Sequence, residues 1–205
     1  MPMTSWTDLI YEDWRKACGK TSSFISQNYH RVLPSGKHVL KDGKGQANLQ
    51  LSRDTFCLEY QNIRNQLNSC QTLLKRDLKR RCDYMLCDDV TTLLVEITSG
   101  KSAANLENLK DEKSQLTKFE KVELQLLQTL QTLCLADSVK TGIYNCPYRV
   151  ALCAYTIAST EHTAQRAFSR PLSSQPNGAA FPSPQLNAEG FEYRRIMSTA
   201  TFTLP

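Results

Sequence analysis

Histidine is scarce in this chain, at three residues (His30, His38 and His162), and none lies near a cysteine at zinc-ligand spacing. There are eight cysteines but no Cys-x-x-Cys pair, the closest approach being Cys82-x₄-Cys87, so a structural zinc site is not expected. Most of these thiols sit in apolar context, as in Leu86-Cys87 and Leu152-Cys153-Ala154, and read as reduced, buried, small hydrophobic residues. No run approaches the ~18 apolar residues that a membrane-spanning helix needs. The opening MPMTSWTDLIYEDW has no basic segment followed by an apolar core. A signal peptide is therefore not expected, and the chain reads as cytoplasmic, with no membrane partner. Gly43-Lys44-Gly45 lacks the spaced glycines and the Lys-Ser/Thr ending of a phosphate-binding loop and reads as a hairpin turn. Internal repeats are absent, as is an aromatic platform for stacking bases.

What remains is an ordinary globular composition. The 205 residues are 40% hydrophobic and 22% charged, which suits one domain. A net charge of +5 is mildly basic and compatible with a nucleic-acid partner. Apolar residues at helical spacing (Trp6, Leu9, Ile10, Trp14, Ala17) predict a first helix over residues 5–18, with both tryptophans as core or interface anchors. Residues 24–56 are β-like and broken by turns. From about Phe56 to Lys79 the spacing of Tyr60, Ile63, Leu67, Cys70 and Leu74 predicts a second helix, ending in basic residues. A long apolar stripe runs from about Ala103 to Leu133. As one helix it would span roughly 45 Å, so it either breaks near Asp111 or packs on another subunit or protein partner. Its lysines read as pairs with neighbouring acids. Pro147–Ile157 is near-continuously apolar and predicts a central strand, parallel to the preceding one because a helix lies between them. Residues 169–190, rich in Pro, Ser and Asn, predict a flexible loop, and Phe191–Leu204 an edge hairpin. The domain proper is expected over 1–168, with 191–205 a C-terminal β segment.

The stretch from Lys79 to Lys101, KRRCDYMLCDDVTTLLVEITSGK, carries the functional signal. Two short apolar runs bounded by turn residues predict a β-hairpin. Asp83 stands near the start of its first strand and Glu96 near the end of its second. Glu96 interrupts Leu93-Leu94-Val95-Glu96-Ile97, where a carboxylate is costly unless paired. An antiparallel hairpin can set the two acids face to face, and adjacent carboxylates favour a hard divalent cation, Mg²⁺ or Mn²⁺. The alternatives are that Asp83 bonds a neighbouring loop and that Glu96 pairs with Lys79 or Arg81. Lys79, Arg80 and Arg81 are either a phosphate-contacting patch or a solvated helix end.

Arg81-Cys82-Asp83-Tyr84-Met85-Leu86, then Leu94-Val95-Glu96, then a helix carrying Gln115-Leu116, resembles the core of the PD-(D/E)XK nuclease-like superfamily over roughly residues 79–157. The resemblance implies a single α/β domain with a mixed central sheet flanked by helices, a restriction-endonuclease-like core. It also implies phosphodiester hydrolysis of nucleic acid, with Asp83, Glu96 and the carbonyl of Ile97 holding Mg²⁺ or Mn²⁺. The family motif ends Glu-x-Lys, whereas Thr98 occupies that third position here. Lys101 or Lys113 would have to stand in for the lysine. Otherwise the chain kept the fold without the chemistry and acts as a binding or regulatory subunit, in phage defence or its inhibition. The superfamily often draws a further acid from an earlier helix, which singles out Glu59.

Overall fold

A computed structural model describes residues 5–18, 29–32, 40–41, 48–52, 55–59, 82–88, 90–100, 103–157, 177–198 and 200–204. The chain begins with helix α1 (Trp6–Cys18), followed by strands β1 (Tyr29–Val32), β2 (Leu40–Lys41), β3 (Asn48–Leu51) and β4 (Thr55–Glu59). Next come the hairpin strands β5 (Tyr84–Cys87) and β6 (Thr91–Gly100), then helices α2 (Ala103–Glu107), α3 (Lys118–Leu133) and α4 (Asp137–Asn145). The chain closes with β7 (Tyr148–Ile157), β8 (Ala179–Ala180), α5 (Pro184–Ala188), β9 (Glu192–Met197) and β10 (Thr201–Phe202).

Seven strands form one sheet in the order β1-β4-β5-β6-β7-β9-β8, and β10-β3-β2 form a second, three-stranded sheet. β4, β5 and β6 run antiparallel, whereas β7 and β9 join β6 in parallel. The architecture is a mixed α/β domain, as expected. The hairpin turn is organised by Asp88, whose Oδ1 accepts from the N–H groups of Val90 at 3.0 Å and Thr91 at 2.7 Å. Because α2, α3 and α4 lie between β6 and β7, the parallel crossover is satisfied.

The long apolar stripe is broken, and Asp111 is the reason. Its Oδ1 accepts from the backbone of Lys113 and Ser114, and its Oδ2 pairs with Lys121 at 2.9 Å. Helix α3 then starts on a capping box, with the Thr117 hydroxyl accepting from Glu120 N and the Glu120 carboxylate from Thr117 N. Those bonds satisfy donors that a helix start otherwise leaves open, and they fix where α3 lies on the sheet.

Alternation along the strands divides the core in two. Met85, Leu94, Ala151, Cys153 and Tyr193 face the helices, with Trp6, Ile10, Phe119, Val122, Leu126 and Leu130. Leu86, Leu93, Val95, Ile97, Leu152 and Ile196 face the small sheet, with Leu40, Leu49, Leu51 and Phe202. Trp6 is a core anchor: it is buried and donates from Nε1 to Thr92 Oγ1 at 2.9 Å. Gly142 lets α1 and α4 meet there, since a Cβ on it would fall 2.7 Å from Trp6 Cβ.

Three expectations are corrected. Residues 55–59 form a strand, because β4 pairs with both β1 and β5; the remainder of the second expected helix lies outside the described residues. Within the expected loop, Ala179–Ala180 pairs with β9, and Pro184–Ala188 is a helix capped by Ser183 that buries Leu186. Phe191–Leu204 is not a hairpin. β9 lies inside the main sheet between β7 and β8, and β10 pairs in parallel with β3 in the small sheet.

Candidate active site

Tyr84 pairs with Val95, so the antiparallel register sets Asp83 opposite Glu96. Directly opposed residues share a face and hold their Cβ atoms about 5 Å apart. Both side chains are buried, at 5% and 7% exposure. Asp83 Oδ2 accepts from the backbone N–H of Ile97 at 2.8 Å, which ties the entry of β5 to the strand that carries Glu96. Glu96 Oε1 accepts from the Gln125 side-chain amide at 2.8 Å.

Helix α3 holds this corner at two points one turn apart, where residues i and i+4 share a face. Gln125 meets Glu96. Thr129 Oγ1 accepts from the N–H of Cys82 at 2.8 Å and donates to the carbonyl of Gln125, also at 2.8 Å. Near the start of the helix, the Lys118 ammonium donates to the carbonyl of Ser99 on β6.

The electrostatics are adverse. Burial and the adjacent Asp83 carboxylate raise the Glu96 pKa well above the ordinary range, and the bond from Gln125 opposes them only in part. Among the described residues, no hydrogen-bond partner meets the buried Glu96 Oε2. A buried carboxylate oxygen left unmet beside a second carboxylate costs free energy. The arrangement fits a divalent cation, which would supply the missing partner to Oε2 and offset the repulsion between the acids. No cluster of three His, Cys, Asp or Glu side chains forms around them among the described residues.

The other expected participants fall as follows. Lys79, Arg80, Arg81 and Lys101 lie outside the described residues. Lys113 is exposed in the turn before α3, and its side chain makes no bond to either acid. The Ile97 side chain points into the small-sheet core. Glu59 ends β4 opposite Tyr84, one position along from Asp83. Successive strand residues point to opposite faces, so Glu59 is directed away from the Asp83–Glu96 pair.

Gln125, Thr129 and Lys118 were not foreseen from the sequence. Their only mark is a border position along the apolar stripe of α3. A cavity of about 220 Å³ lies at the other end of β5, lined in part by Trp6, Cys87, Asp88, Gly142 and Cys146, and it contains neither acid. All six cysteines whose side chains are described are free, and five are buried, in keeping with their reading as apolar thiols.

No protein-family model, no curated protein and no solved structure matches this chain.

Proposed function

We propose that this protein is a divalent-cation-dependent nuclease that hydrolyses phosphodiester bonds at the Asp83–Glu96 corner. The carrying observation is the unmet, buried Glu96 Oε2 directly opposite Asp83 in the hairpin. A buried acid with a raised pKa facing a second carboxylate is a functional-site candidate. The order hairpin, helix, parallel strand that the nuclease-like resemblance requires is met by β5, β6, α3 and β7.

In this reading Asp83 and Glu96 hold Mg²⁺ or Mn²⁺, and Ile97, whose N–H fixes Asp83, offers its carbonyl as a further ligand. A cation held there would supply a more acidic water and positive charge beside the phosphate. Gln125 orients the Glu96 carboxylate. Lys118, anchored on the Ser99 carbonyl three residues beyond Glu96, joins Lys101 as a stand-in for the lysine absent at Thr98. The Lys79–Arg81 cluster, just ahead of Asp83 in sequence, meets the phosphate backbone.

Thr98 favours a second reading, in which the fold binds a partner and cuts nothing. The two are separated by incubating labelled DNA and RNA, single- and double-stranded, with Mg²⁺, Mn²⁺ or EDTA. Metal-dependent cutting lost in both Asp83→Asn and Glu96→Gln establishes the nuclease. Absence of cutting on every substrate, with the protein folded, moves the assignment to the binding protein.

A further inference from the structure

The row of residues that contains the acids continues across the sheet. Glu96 on β6 pairs with Cys153 on β7, and Cys153 pairs with Arg195 on β9. Parallel partners present their side chains on one face, so Arg195 stands on the helix-covered face with Glu96, two strand spacings away. Those spacings amount to about 9.6 Å of backbone separation.

The Arg195 guanidinium is held by aromatic rings rather than by an acid. Its Cζ lies 4.1 Å from the centroid of Phe119 on α3, 4.1 Å from Phe181 ahead of α5, and 5.3 Å from Tyr193 on its own strand. Its Nε donates to Tyr193 Oη at 3.4 Å. Among the described residues no carboxylate pairs with it. Glu123, the acid whose field reaches Tyr193, instead accepts a hydrogen bond from Ser183. Two neighbouring arginines are occupied: Arg194 pairs with Glu192 at 2.9 Å, and Arg149 donates to the carbonyls of Gly190, Tyr144 and Cys146. Among the described residues, no acceptor meets the terminal nitrogens of half-buried Arg195, although a guanidinium carries five donors. The strand beneath it is also fixed. Gly178, at φ +71°, packs so closely that a Cβ there would fall 2.2 Å from the Arg195 carbonyl oxygen.

A guanidinium oriented by stacked rings, with its outer edge unpaired, is preorganised for an oxyanion that it can grip with two parallel hydrogen bonds. We propose that Arg195 is a phosphate-binding residue. On the nuclease reading, on which the identity of its ligand rests, it takes the nucleic-acid phosphate next to the one held at Asp83 and Glu96. The backbone separation sets it beside the acid pair, so it serves binding and register along the strand. The acids keep the chemistry.

The test is fluorescence anisotropy of labelled single- and double-stranded DNA and RNA in EDTA, where nothing is cut, over a salt series. Wild type is compared with Arg195→Lys, Arg195→Gln and Glu96→Gln. Arg195→Gln should weaken binding about tenfold and lower the salt slope by about one phosphate contact. Arg195→Lys retains the charge over the rings without the fork, so it should fold as wild type and fall between the two. Glu96→Gln should bind at least as well as wild type. Unchanged affinity and slope in both folded arginine variants would overturn the assignment. If wild type binds no nucleic acid, the nuclease reading fails, and inorganic pyrophosphate becomes the probe. A rise in melting temperature with millimolar pyrophosphate that is lost in Arg195→Lys upholds a phosphate site with a different source. No rise in wild type overturns the site itself.

Discussion

The two faces of the main sheet solve the same packing problem with different chemistry. Under the small sheet, β6 presents Leu93, Val95 and Ile97 to Leu40, Leu49, Leu51 and Phe202, a wholly apolar contact. Under the helices, the same strand presents Leu94 and then Glu96, opposite Asp83, with the Gln125 amide donating to it. One face is optimised for burial. The other keeps a destabilising pair of acids one residue away along the same strand, and a fold concedes stability in this way at sites that bind or react.

Moving a carboxylate to the apolar face breaks the comparison most severely. Val95→Glu would bury an acid among apolar neighbours, directly opposite Tyr84, and should cost about 4 kcal/mol or more. Urea titration followed by circular dichroism would show the chain largely unfolded in buffer; a loss under about 1 kcal/mol would mean that the small sheet admits water.

A milder change removes the help given to Glu96. Gln125→Leu takes away the donor to Oε1 and should cost about 1–3 kcal/mol near neutral pH, the penalty for an unsatisfied buried acceptor. Its cost should shrink in acid, where Glu96 is protonated. Equal destabilisation at pH 4 and pH 8 would argue that Gln125 serves packing alone.

The smallest effect carries the opposite sign. Because the Glu96 pKa is raised on folding, the native state holds a proton that the unfolded chain has already lost. Its contribution is fully present below the ordinary glutamate pKa of about 4.3 and is lost as pH rises through the folded value. Glu96→Gln should therefore be more stable than wild type at neutral pH and flatten the pH dependence of the melting temperature. Mn²⁺ should raise the wild-type melting temperature, more so at higher pH, and leave that of Glu96→Gln unmoved. A wild-type melting temperature indifferent to both pH and Mn²⁺ would remove the basis for the metal site.

Much of this site was legible before any coordinates. Apolar runs separated by a turn foretold β5 and β6, and the antiparallel rule alone brought Asp83 to Glu96. Helical periodicity misled at Glu59, where apolar residues spaced for a helix downstream concealed a strand that turns this acid to the other face. Arg195 carried no signal, since its importance comes from rings 76 residues upstream (Phe119) and 14 residues upstream (Phe181), in elements that meet only after folding.

By itself, the sequence determined the local pattern: where apolar residues recur at periods of two or of three to four, where Asp88 turns the chain, and which acid interrupts a buried strand. These follow from backbone geometry and the cost of burying charge, which act over a few residues. Only the tertiary structure decided that β9 runs parallel beside β7, that the small sheet covers one face, that Gln125 on α3 reaches Glu96, and that Arg195 shares a row of the sheet with the acids. Long-range pairing is chosen by the total surface buried among distant segments, a quantity that no stretch of sequence carries alone.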